Sequence, residues 1–69
     1  MKLKYDREVD ILYIRLSDVP VEESDEDHPG RRTAGVVLDY AADGSIVGIK
    51  IMNASKRAIQ PTKIELEVA

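Results

Sequence analysis

Apolar and polar residues alternate with a period of two along most of the chain. That pattern predicts a mainly β fold: a small antiparallel β-sheet meander with one short C-terminal helix, followed by a tail strand. Size points the same way. With 69 residues there is room for a single small domain, 1–69. The chain has no Cys, Phe or Trp, so its core is aliphatic with tyrosines, and no disulfide supports it. One core of this size rarely supplies more than about 3–5 kcal/mol. One histidine and no cysteine leave no multi-histidine or thiolate metal site within one chain. Oligomerisation is the remaining stabilising device, and the expectation is a homodimer.

The elements follow in order. KLKY, residues 2–5, alternates Lys2 and Lys4 against Leu3 and Tyr5. DREVD makes a polar corner. ILYIRL sets Leu12, Ile14 and Leu16 on one face and Ile11, Tyr13 and Arg15 on the other, so the two segments form a hairpin. Ser17-Asp18-Val19-Pro20 is turn chemistry. An acidic, extended stretch follows to about Asp27, and His28-Pro29-Gly30 breaks it. Arg31 and Arg32 lead into a strand, GVVLDY. After the AADGS corner comes IVGIKIM, whose Val47, Ile49 and Ile51 share a face. Asn53 has the chemistry of an N-cap, predicting a helix over Ala54–Gln60 that Pro61 stops. In TKIELEV, Ile64, Leu66 and Val68 alternate with Lys63, Glu65 and Glu67, the cleanest strand pattern of all.

Two strands carry apolar groups on both faces. Ile11 and Tyr13 oppose Leu12, Ile14 and Leu16; Val36 and Leu38 oppose Val37. A half-exposed antiparallel sheet shows a polar face, and one short helix cannot cover five strands. The second face is therefore expected to be buried by another chain or its tail strand. The interface residues expected on this basis are Ile11, Tyr13, Val36, Leu38, Ile64, Leu66 and Val68.

Net charge is −3, unevenly placed: Glu22, Glu23, Asp25, Glu26 and Asp27 hold five of the thirteen acids. The basic residues are scattered, unlike the concentrated footprint of a nucleic-acid binder. No apolar run approaches the roughly 20 residues of a membrane span. The N-terminus has no apolar signal core, so the expectation is a cytoplasmic protein without membrane contact.

Three acidic groupings invite chemistry. Asp39, Asp43, Gly44 and Ile46 fall at the first, fifth, sixth and eighth positions of a calcium-binding EF-hand loop. Position three is Ala41 and position twelve is Lys50, where an acid belongs. Asp-Gly at a hairpin corner is the better reading. Asp6, Glu8 and Asp10 could hold a metal or act as an acid/base pair, but Asp in a corner ordinarily bonds backbone N–H groups. The acidic run with His28 reads as a solvated edge that discourages strand pairing, or as a docking surface for a basic partner. Arg31 and Arg32 are expected to pair with acids of their own chain. Asn53-Ala54-Ser55 matches the glycosylation pattern, yet nothing points to secretion. No nucleophile, phosphate-loop or dinucleotide motif occurs, so no catalytic residue, metal or cofactor is assigned.

YDREVDILYIRL, an acidic segment, then GVVLDYAADGSIVGIKIMNASKR resembles the short prokaryotic proteins of domain-of-unknown-function family 2283. The matching positions include Tyr5, Asp6, Glu8, Asp10, Leu12, Tyr13, Asp39, Tyr40, Asp43, Gly44, Gly48, Ala54 and Ser55. The resemblance covers about residues 3 to 57. The chain departs from it at Lys50, where the family usually shows an acid, and the tail 61–69 lies outside it. The resemblance implies a possible toxin–antitoxin pairing with a second small protein encoded nearby.

The functional expectation is thus a protein-binding module, an antitoxin-like partner of a small basic protein. The rivals are a homo-oligomeric structural protein without a ligand, and a small enzyme using Asp6, Glu8 and Asp10.

Overall fold

Five strands form one antiparallel sheet in the computed structural model, which describes residues 1–26, 35–57 and 59–69. They are β1 (Lys2–Asp6), β2 (Ile11–Arg15), β3 (Glu23–Glu26), β4 (Val36–Tyr40) and β5 (Ile46–Met52). The mainly β fold class is as expected. The strand order is β1-β2-β5-β4-β3, which is not that of a simple meander. β3, β4 and β5 run as a meander, but β2 crosses to the far edge to reach β3 and itself pairs with β5. β2 to β5 thus make a Greek key. The crossover, residues 16–22, spans three strand spacings of about 4.8 Å each. It is pinned at both ends: Leu16 N–H donates to Val47 O at 2.8 Å and Glu22 N–H to Tyr40 O at 2.8 Å.

Local chemistry makes the corners. Between β1 and β2, Asp6 Oδ1 accepts the Glu8 N–H at 3.0 Å, and Asp10 takes a left-handed conformation with φ 56°. This is the turn role expected of Asp6. Between β4 and β5, Ala41 N–H donates to Ser45 O at 2.9 Å. The Asp43 carboxylate accepts both the N–H and the hydroxyl of Ser45. Gly44, at φ 86°, supplies the positive φ this corner requires. The segment that resembled a calcium loop is a hairpin.

The C-terminal part departs from expectation twice. The helix is a single 3₁₀ turn, Ala54–Lys56, rather than Ala54–Gln60. Asn53 does not cap it: it sits in the left-handed region (φ 54°, ψ 40°) and makes no side-chain cap bond. Extended Arg57 ends the turn, its Nε donating to Met52 O at 2.9 Å. The tail forms no strand. The Lys63 N–H bonds back to Gln60 O at 2.9 Å, and residues 64–69 have no regular structure. A strand needs a neighbour for its backbone groups, and among the described residues no strand of the same chain pairs with it.

Register fixes the two faces. Leu12 lies opposite Tyr5 and Ile51; Ile14 lies opposite Leu3 and Ile49. Val36 and Leu38 continue this apolar face. The other face carries Lys2, Lys4, Arg15, Tyr13, Lys50, Gly48 and Asp39. Among the described residues the buried apolar ones are few: Leu12, Ala41, Val47 and Ala54. The strands among the described residues form one sheet, and Leu3 is 41% and Leu16 38% exposed. No helix among the described residues is long and apolar enough to cross a membrane.

Candidate functional site

The polar residues of the sheet gather into two hydrogen-bonded clusters. The first lies at the end of the β1–β2 hairpin. Tyr5 Oη donates to Asp10 Oδ1 at 2.6 Å, and the Ser55 N–H donates to the same oxygen at 3.0 Å. Ser55 Oγ donates to Asp10 Oδ2 at 2.7 Å. The Asp10 carbonyl accepts the Ala54 N–H at 3.1 Å. Asp10 therefore docks the 3₁₀ turn, the task the sequence assigns to Asn53. The Tyr5 hydroxyl, then the Ser55 N–H and hydroxyl, hold the Asp10 carboxyl below its ordinary value. The same bond to Asp10, with burial and the nearby charge of Asp10, raises the Tyr5 phenol.

The second cluster is centred on Asp39, which is 1% exposed. β3 brings Ser24 opposite it and β5 brings Gly48 opposite it. Ser24 Oγ donates to Oδ1 at 2.6 Å and Tyr13 Oη to Oδ2 at 3.1 Å. The Arg15 guanidinium reaches Tyr13 Oη at 3.4 Å and the Val19 carbonyl at 2.6 Å. Gly48 makes this possible: a Cβ there would lie 2.9 Å from Tyr13 Oη and 3.2 Å from Asp39 Oδ2. Lys50 Nζ lies 5.6 Å from the centre of the Tyr13 ring, within the range of a cation–π contact. No buried side-chain polar atom among the described residues lacks a partner.

These bonds redistribute the expected sites. Asp6, Glu8 and Asp10 do not converge: Asp6 serves the corner, Asp10 serves the 3₁₀ turn, and Glu8 is exposed. Asp39 and Asp43 are separately engaged. Among the described residues no group of three His, Asp or Glu side chains is placed to hold a metal ion. The acids Glu22, Glu23, Asp25 and Glu26 are all exposed on or beside edge strand β3, and Glu26 Oε1 accepts the Gly35 N–H at 2.9 Å. Asp27, His28, Arg31 and Arg32 lie outside the described residues.

The expected interface residues do not share one surface. Ile11 and Tyr13 are on the polar face, Val36 and Leu38 on the apolar face, and Ile64, Leu66 and Val68 on the exposed tail. Basic residues scattered in sequence meet on the polar face: Lys2 lies opposite Arg15, and Tyr13 lies between Lys4 and Lys50. Lys2, Lys4, Tyr13, Arg15 and Asp18 line an open depression of about 420 Å³. Sequence reasoning missed Ser24, Ser55 and Gly48 as partners. Gly48 and Ser55 do fall within the motifs quoted above, the one available hint.

Residues 2–55 match the model of a family described as protein of unknown function (DUF2283), and the chain belongs to that family. Comparison with curated proteins and with solved structures returns no match. The matched span contains both hydrogen-bonded clusters and stops before the tail.

Proposed function

We propose that this family member is a protein-binding module without catalytic activity, docking a basic partner protein in the manner of an antitoxin. One observation carries the reading: an apolar sheet face, half-buried at Ile14, Leu38 and Ile49 and exposed at Leu3 and Leu16, is bordered by an acidic edge. By register, Asp25 lies beside Leu38 and Glu23 beside Tyr40, so carboxylates flank the apolar centre formed by Ile14, Ile49 and Leu38. An apolar core with a charged rim is the anatomy of a recognition surface, and the rim charge sets partner choice and association rate. The acids with the richest hydrogen bonding, Asp10 and Asp39, are engaged within the chain and support the fold rather than a reaction.

The test is co-expression with each protein encoded by the adjoining genes, followed by co-purification. A basic neighbour is expected to co-purify, and Glu23→Lys with Asp25→Lys is expected to slow association at low salt. A chain that purifies without any of those neighbours overturns the reading.

A further inference from the structure

The tail and the edge of the sheet fit each other in a way neither explains alone. Ile64, Leu66 and Val68 alternate with charged residues, yet Leu66 is 87% and Val68 84% exposed. β1 is an edge strand whose outer side has no partner among the described residues. Its side chains divide cleanly: Leu3 and Tyr5 on the apolar face, Lys2, Lys4 and Asp6 on the polar face.

We infer that the tail of one chain adds as a sixth strand to the β1 edge of a second copy. In one antiparallel register, Lys63 faces Asp6, Glu65 faces Lys4 and Glu67 faces Lys2. All three polar-face pairs are then of opposite charge. The same register puts Ile64 against Tyr5 and Leu66 against Leu3, extending the apolar face. Within the sheet, Lys2 lies directly opposite Arg15, a like-charge pair that is unfavourable alone. Glu67 beside Lys2 offsets it. The other edge does not fit. On β3, Asp25 and Glu23 occupy the apolar side and Ser24 and Glu26 the polar side, so a tail there sets its glutamates or its aliphatic residues against acids. Strand addition also covers the backbone groups that make an open edge a liability. This inference uses β1 and the tail, not β3, so it stands or falls apart from the partner reading.

The experiment uses two full-length variants, Lys4→Glu and Glu65→Lys, both at exposed positions. Sedimentation equilibrium is run on wild type, on each variant, on their mixture and on the chain carrying both changes. Wild type is expected to dimerise. Each variant alone carries like charges at both exchanged junctions, and its dimer is expected to weaken about tenfold or more. The mixture restores it, because each chain then offers the charge its partner lacks. Three results overturn the inference: a monomeric wild type, single variants that dimerise like wild type, or rescue only when both changes are in one chain.

Discussion

Asp39 is the residue on which the polar face turns. A carboxylate removed from water is costly unless its oxygens are paired, and here Ser24 and Tyr13 each pair one oxygen. Gly48 keeps the space those bonds need. Two substitutions separate these contributions. Tyr13→Phe removes one donor and is expected to cost about 1–3 kcal/mol in urea denaturation. Gly48→Ala drives a methyl group against the Tyr13 hydroxyl and is expected to cost about 1–3 kcal/mol. Because that hydroxyl is the nearest obstacle at 2.9 Å, the double variant is expected to lose at least about 0.5 kcal/mol less than the sum. Strict additivity shows that the hydroxyl is not what Gly48 accommodates. None of this coupling is visible in sequence, since Tyr13, Ser24, Asp39 and Gly48 come from four strands. What sequence does show is the side of the strand on which each lies.

At the scale of elements, the four strands with apolar alternation were legible, and polar β3 and the C-terminal turn were not. The strands announce themselves because side chains alternate faces regardless of which neighbour a strand acquires. The 3₁₀ turn depends on a contact between Asp10 and Ser55, 45 residues apart. No local pattern reports it. Asn53 looked like a cap because Asn suits caps, but Asn also tolerates the left-handed region, which is how it is used. The tail misled for a related reason: its alternation specifies a strand, while the chain supplies no neighbour. Docking of the turn carries a pH signature. The Asp10 carboxyl lies below its ordinary 3.8 in the folded chain. Its contribution is therefore complete above that value and fades as pH falls through the lowered one. The Tyr5 phenol lies above its ordinary 10.0, so its contribution is complete below that value and fades as pH rises beyond it. Between these limits Asp10→Asn is expected to be less stable than wild type and to lose the slow amide exchange of Ser55. The gap closes on the acid side; an unchanged gap from neutral to strongly acidic conditions contradicts the assignment.

Among the described residues the strands make one sheet with opposite charges at its two edges, lysines along β1 and acids along β3. The antiparallel mainly β architecture followed from alternation in β1, β2, β4 and β5; β3, Glu23–Glu26, is wholly polar and shows none, and strand order did not follow either, because the pattern of β2 is equally satisfied beside β3 or β5. Leu3 and Leu16 stay partly exposed to water, and each such side chain forfeits part of the roughly 25 cal/mol per Å² that burial provides. A second copy whose tail sets Leu66 beside Leu3 recovers some of it. The melting temperature of the full chain is accordingly expected to rise with protein concentration, since association stabilises by mass action. A melting temperature that does not move over a hundredfold dilution, roughly the span needed to resolve the effect, contradicts it.

The Greek-key crossing has a further consequence, for synthesis rather than for the finished molecule. β2 obtains its inner neighbour only from β5, the last strand the ribosome makes. The N-terminal hairpin must wait in a nascent chain with the aliphatic edge of Ile11–Arg15 bare until Met52 has cleared the exit tunnel. Long-range closure of this kind is slow and exposes unpaired strands meanwhile. A stall between Tyr40 and Ile46 would therefore release a more aggregation-prone fragment than a stall shortly after Met52.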